Sequence, residues 1–190
     1  MLRLFIALEM DHSLRAGIEA LVNDIKHLGL HASWVPVSNM HLTLKFLGDT
    51  DEKHVESIKK ILDECACVTA PFETALQGIG VFPDIRRPRV LWLGCSAPSG
   101  TISKLHGFLE SKLSALGFPL ENRRFLPHLT LARIKSPKNM EFFRGFLGEK
   151  HGNLLIGTSR MEGITLFKSD LLKTGAVYTA LYKVRMKNEK

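Results

Sequence analysis

HLTLKFLG, residues 41–48, and HLTLARIK, residues 128–135, open on the same four residues 87 positions apart. Both alternate polar and apolar positions, the pattern of a half-buried strand. Successive side chains on a strand point to opposite faces. Leu42 and Leu44 therefore enter a core, while His41 and Thr43 share the other face. Leu129 and Leu131 oppose His128 and Thr130 in the same way. A histidine beside a hydroxyl on the wet face of a strand is a plausible catalytic unit, and two copies suggest two halves of one site.

Outward from these stretches, the chain repeats. Residues 3–9 read as a strand. Asp11 is a candidate N-cap for a helix over residues 13–28, with Leu14, Ile18, Leu21, Val22 and Ile25 at helical spacing and Gly29 as its stop. After the first histidine strand, Asp49 or Thr50 opens a second helix carrying Val55, Ile58, Ile61 and Leu62, and residues 72–82 read as a strand. A basic, two-proline linker occupies residues 83–88. The order then recurs: a strand over 89–94, a helix from Ile102 to its stop at Gly117, the second histidine strand, a helix over 139–147 and strands over 161–167 and 176–184. Arg3/Arg89, Gly29/Gly117, His41/His128 and Gly78/Gly163 are separated by 85 to 88 residues. A steady offset implies an internal duplication. The expected architecture is one α+β domain of two repeats, about residues 1–83 and 89–175, plus a C-terminal strand. A pseudo-two-fold axis would bring the histidine strands face to face.

The 190 residues are 45% hydrophobic and 24% charged, an ordinary globular mix with a sizeable core. The net charge of +7 favours an anionic partner, nucleic acid being the usual one, although it serves solubility equally well. Cys65, Cys67 and Cys95 are odd in number and fit no disulfide framework or zinc site. No apolar run reaches membrane length, so no membrane association and a reducing, cytoplasmic setting are expected.

Two facing His–Thr units supply an acid, a base and two neutral donors. In-line displacement at phosphorus uses such a set: one histidine takes the proton of the attacking oxygen, the other protonates the leaving oxygen. Each transfer is worth about 10²–10⁴-fold. The Thr43 and Thr130 hydroxyls can bond the non-bridging oxygens. The sequence holds no HExxH, no CxxC and no acidic cluster beside the histidine strands, so a metal-free histidine pair is expected. Lys45 continues the His41/Thr43 face. Arg123 and Arg124 precede the second motif, and Lys135 follows it. Arg133 falls nominally on the leucine face and reaches a phosphate only if the strand ends or bends there. Phe5, Trp34, Phe46 and Trp92 are candidates to stack a base, though each taken singly fits a core position better. His12, His27, His31, His54, His106 and His151 lack a partner motif and read as surface or structural, and the basic tail over residues 183–190 reads as solubilising.

RLFIAL, WVPVSNMHLTLKFLG, RRPRVLWLG, FLPHLTLAR and GAVYTAL stand in the order in which they occur in the 2H phosphoesterase superfamily, and the chain most resembles its RNA 2′,3′-cyclic phosphodiesterase (2′-5′ RNA ligase) branch. The resemblance implies a two-lobed module with antiparallel sheets lining a central cleft and helices outside. It implies an enzyme that opens the terminal 2′,3′-cyclic phosphate of RNA ends or tRNA fragments to a 2′-phosphomonoester; no cofactor and a monomer are expected. Some members also join tRNA halves through a 2′-5′ linkage. It further implies that His41 is the proton donor and His128 the acceptor, with Thr43 and Thr130 holding the phosphate; Arg133, Lys45 and Arg124 are the candidate cations that the sequence itself places near it. The spacing alone leaves the two histidines indistinguishable. Two other readings stay open: a phosphodiesterase on 2′-5′ oligonucleotides or small cyclic nucleotides, and a non-catalytic RNA-end binder using the same cleft.

Overall fold

The computed structural model describes residues 1–136, 138–150, 154–173 and 175–187. His151 and the last three residues of the basic tail lie outside them. Nine strands are present among the described residues: β1 (Leu2–Glu9), β2 (Ala32–Trp34), β3 (His41–Thr50), β4 (Phe72–Phe82), β5 (Val90–Ser96), β6 (His128–Ile134), β7 (Leu155–Met161), β8 (Gly163–Leu172) and β9 (Gly175–Arg185). Four α-helices accompany them: α1 (Arg15–His27), α2 (Val55–Cys67), α3 (Thr101–Ser114) and α4 (Met140–Lys150).

The helices form where apolar residues recur at helical spacing. α1 buries Ile18, Leu21, Val22 and Ile25; α2 buries Ile58, Ile61 and Leu62; α3 buries Ile102, Leu105, Leu109 and Leu113. All join Leu42, Leu44, Leu129 and Leu131 in one core between sheet and helices. Each such side chain contributes about 1.5–3 kcal/mol on burial. The helix starts are sharper than the periodicity indicates. Asp11 and Asp51 each cap one turn of 3₁₀ helix, accepting from Ser13 N at 2.7 Å and Lys53 N at 3.1 Å, and α1 and α2 follow those turns. The sequence marks residues 34–36 as extended, where β2 in fact covers Ala32–Trp34, and it does not mark β7. β7 has exposed and buried residues mixed without clean alternation, and β2 is only three residues long.

The strands pair antiparallel into a single sheet in the order β7-β4-β5-β6-β3-β1-β8-β9, with β2 also on β6. Its middle is the one recorded β3–β6 pair, Leu42 opposite Leu129. About that point the order is symmetric: β3 and β6 exchange, as do β1 and β5, and β8 and β4. The closing strand of each repeat therefore pairs with the opening strand of the other, β4 on β5 and β8 on β1. The duplication is real, and the halves are interleaved in one sheet.

Candidate active site

The two histidine strands carry the same irregularity. On β3, Lys45 pairs with Ile6 and Thr43 with Ala7, leaving Leu44 as an extra residue. On β6, Ala132 pairs with Leu91 and Thr130 with Trp92, leaving Leu131. Each is a β-bulge, two residues opposite one, and it resets the alternation. Leu44 and Lys45 are both buried, as are Leu131 and Ala132.

The bulge corrects one expected site residue. Lys45 does not continue the His41/Thr43 face but enters the helix layer, 3% exposed. Its ammonium donates to Pro119 O at 2.7 Å and pairs with Glu110 of α3. The same reset has the opposite effect on Arg133, which leaves the leucine face and is exposed beyond Ala132. Its counterpart in the first half, Phe46, is 62% exposed and lies 5.9 Å from the Phe5 ring, on the side of His41. Arg124 is exposed in the segment leading into β6. Of the aromatic candidates, Phe5 and Trp92 lie beside the histidines, whereas Trp34 packs against the core and under the Lys26 ammonium.

Both histidines are held alike. His41 Nδ1 is 2.8 Å from Asn39 O, and His128 Nδ1 is 2.7 Å from Leu126 O. A carbonyl only accepts, so each Nδ1 carries the proton and donates it, and each Nε2 is the ring atom left to exchange protons. His41 stacks on Phe5 with ring centroids 4.7 Å apart and takes the edge of Tyr178 at 5.2 Å. His128 takes the edge of Phe82 at 5.0 Å. The rings are thereby fixed in orientation. Thr43 and Thr130 sit half-buried two residues further along the same strands, and neither hydroxyl is engaged by another side chain among the described residues.

Burial lowers the pKa of both imidazoles, since it disfavours their charged form. The two then differ. At His41 the bond to Asn39 and the charge of Glu9 work against that lowering, while His128 adds to it. At His128 the bond to Leu126 is the opposing influence. Glu9 sits directly opposite His41 on β1. Burial would raise the Glu9 pKa, but the Thr165 hydroxyl at 2.6 Å and the Lys183 ammonium at 3.0 Å outweigh it and hold it low, so the carboxylate is charged. This carboxylate was missed from sequence, where it reads as the polar end of a strand.

Donors for a metal exist elsewhere. His106, Glu110 and Glu121 have ligating atoms within 4.8 Å of one another. Glu110 already carries the Lys45 ammonium and accepts from Glu121 N at 2.8 Å, so the charge there is matched by protein groups in the helix layer. His106 stacks on Phe125 at 4.0 Å, a structural role. Among the described residues no helix is long and apolar enough to cross a membrane.

A duplicated sheet with a His-x-Thr strand in each half, both imidazoles anchored through Nδ1, defines a two-histidine phosphoesterase fold. The LigT-like phosphoesterase family model matches residues 8–92 and again 93–178, and the chain belongs to that family. It is 33% identical over 184 residues to the RNA 2′,3′-cyclic phosphodiesterase of Methanothermobacter thermautotrophicus, covering 97% of this chain and 98% of that one. The protein of the same description from Aquifex aeolicus is 32% identical, with 94% of each covered. A crystal structure from Thermus thermophilus, that of TT0787, superposes with a TM-score of 0.82 at 28% identity over 99% of this chain and 100% of that one. The fold is shared with E. coli LigT bound to 3′-AMP, at a TM-score of 0.77, 24% identity and coverage of 98% of this chain and 99% of that one. The two-lobed fold expected from the resemblance is thus the fold observed.

Proposed function

We propose that the chain hydrolyses the terminal 2′,3′-cyclic phosphate of RNA to a 2′-phosphomonoester with His41 as general acid and His128 as general base. The observation that carries this reading is the matched anchoring of the two imidazoles, which leaves one Nε2 in each half for proton transfer. Its substrate class follows that of the Methanothermobacter and Aquifex relatives, both RNA 2′,3′-cyclic phosphodiesterases. His128 Nε2 takes a proton from water as its oxygen attacks phosphorus. The P–O3′ bond breaks on the opposite side, and His41 Nε2–H protonates O3′. Thr43 and Thr130 hydroxyls donate to the non-bridging oxygens, where charge develops. Arg133 and Arg124 supply positive charge to the RNA backbone, in line with the net charge of +7.

Glu9 supports the assignment of roles that the repeat itself hides. A carboxylate opposite His41 favours its protonated form, and none stands opposite His128, where the partner is Gly94. A nucleoside 5′-hydroxyl replacing water at His128 would give the 2′-5′ joining reaction. The three free cysteines fit a reducing, cytoplasmic setting, and we read the protein as a monomer acting on RNA ends or tRNA fragments.

The test is an RNA oligonucleotide ending in 2′,3′-cyclic phosphate, incubated with the protein in excess chelator. A 2′-phosphate product is expected at undiminished rate. A 3′-phosphate product would reverse the assignment of the leaving oxygen, and dependence on added metal would overturn the histidine mechanism.

A further inference from the structure

The sheet treats its two histidines unequally at one position. Opposite His41 stands Glu9, tied down by Thr165 and Lys183. Opposite His128 stands Gly94, and there the surface opens into a cavity of about 210 Å³ walled by Phe82, Trp92, Gln77, Ser96 and His128 itself. Two glycines set the packing of its walls. A Cβ on Gly94 would lie 2.5 Å from the Gln77 carbonyl oxygen, and one on Gly80 would lie 2.2 Å from the Trp92 ring. Neither contact is tolerable, so Gly94 lets the β4 backbone approach closely beside His128 and Gly80 lets the indole lie against bare backbone.

The cavity is smaller than the roughly 300–1,000 Å³ of sites for drug-sized ligands. It has room for one ring system. Its walls are mostly apolar, with the Phe82 and Trp92 rings among them, and Gln77 and Ser96 add polar groups. Gln77 Nε2 donates to Ser96 Oγ at 2.8 Å, which leaves the Gln77 side-chain oxygen to accept and the Ser96 hydroxyl to donate. Aromatic faces with a few hydrogen-bonding groups at the edge suit a planar heteroaromatic ring, and next to a phosphoryl-transfer histidine that ring is a nucleobase.

We propose that this cavity binds the base of a second nucleoside, the one whose 5′-oxygen meets phosphorus on the His128 side. The inference rests on the reading above that His128 is the base. In the forward step the 5′-oxygen of the held nucleoside forms the new P–O bond as its proton passes to His128. The P–O3′ bond breaks, and O3′ takes the proton of His41, leaving a 2′-5′ phosphodiester and a free 3′-hydroxyl. Nothing else is consumed. Holding the base beside His128 orients the 5′-hydroxyl, the advantage it needs to compete with bulk water.

The experiment incubates uridine 2′,3′-cyclic phosphate with the protein and increasing adenosine, or methyl riboside, which lacks the base. Both the 2′-nucleotide from water and the 2′-5′ dinucleoside or riboside product are quantified. Adenosine is expected to half-saturate transfer at a concentration at least tenfold below that of methyl riboside. In Ser96→Phe, which fills the cavity, the ratio of transfer to hydrolysis is expected to fall at least tenfold. Equal half-saturation by the two acceptors in the unaltered protein, which needs no variant to fold, would overturn the proposal. A fall of both products by one factor in Ser96→Phe would overturn it too, because it would put the cyclic nucleotide's own base in the cavity. Failure to open the cyclic phosphate at all would instead strike the hydrolase reading beneath it.

Discussion

The two halves of the sheet are copies that differ beside their histidines. Each places a histidine on a strand, ties its Nδ1 to a carbonyl two residues back and bulges three residues on. Yet His41 is packed by Phe5, Tyr178 and Phe167 and faced by a carboxylate, while His128 borders an open cavity and faces a glycine. Duplication supplies two equally anchored imidazoles, and such a pair has no direction. Direction requires a charge on one side and space on the other, and both arise at a single pair of equivalent positions, Glu9 and Gly94.

The strongest way to break this comparison is to remove each histidine in turn. His41→Ala and His128→Ala are each expected to lower the rate of cyclic phosphate hydrolysis by about 10²–10⁴-fold. The double variant should lose less than the product of the two, because acid and base act in one transition state. Single-turnover product release measures all three. A variant retaining full activity would show that its half is only a scaffold.

The second test concerns Lys45, whose counterpart in the other half is Ala132. Lys45→Ala would make the halves alike at this position, but it strips the buried cation from half-buried Glu110. Removal of one partner of a buried pair costs about 3–5 kcal/mol. Denaturant unfolding is expected to show a loss of that order, with KM for the cyclic phosphate unmoved. A raised KM with unchanged stability would return Lys45 to the phosphate.

Lys45 also marks where sequence reading stops. Alternation is a local rule, and it correctly separates His41 and Thr43 from Leu42 and Leu44, and His128 and Thr130 from their leucines. It fails one step later, at Lys45 and Arg133, because a bulge is set by the register of the neighbouring strand and leaves no mark on the strand's own polarity. The duplication is legible because its landmarks are glycines and histidines at fixed spacing. The exchange of closing strands between repeats is not, since either partner satisfies the same apolar pattern. Glu9 and Gly94 read as a strand end and a small residue; only the cross-strand pairing puts them beside the histidines. The proposed acid and base roles rest on family resemblance, and Glu9 offers a physical cause for them.

Gly80 and Trp92 allow a smaller perturbation confined to the His128 half. In Gly80→Ala the new methyl meets the indole at a distance no pair of carbons sustains, so Trp92 must move. Overpacking of this kind costs about 1–3 kcal/mol. Thermal unfolding should register the loss and tryptophan fluorescence the displacement. The equivalent position of the His41 half already carries a side chain, Thr165, whose hydroxyl bonds Glu9. An unchanged emission spectrum in Gly80→Ala would mean that the indole does not rest on β4.

The finest distinction is carried by pH. With the proposed roles, activity needs His41 protonated and His128 neutral, so the rate is expected to fall above the pKa governing the acid and below that governing the base, a bell with two macroscopic limbs. Burial lowers both values from the ordinary imidazole range, and Glu9 opposes this at His41 alone. Glu9→Gln keeps the size of the side chain and removes its charge. The pKa of His41 should fall further, which moves the alkaline limb to lower pH. The acidic limb should stay, because no Glu9 influence acts on His128. The profile of kcat/KM against pH, measured for the unaltered protein and for Glu9→Gln, decides the point. Movement of the acidic limb alone would exchange the roles of the two histidines, and movement of neither would remove Glu9 as the source of their difference.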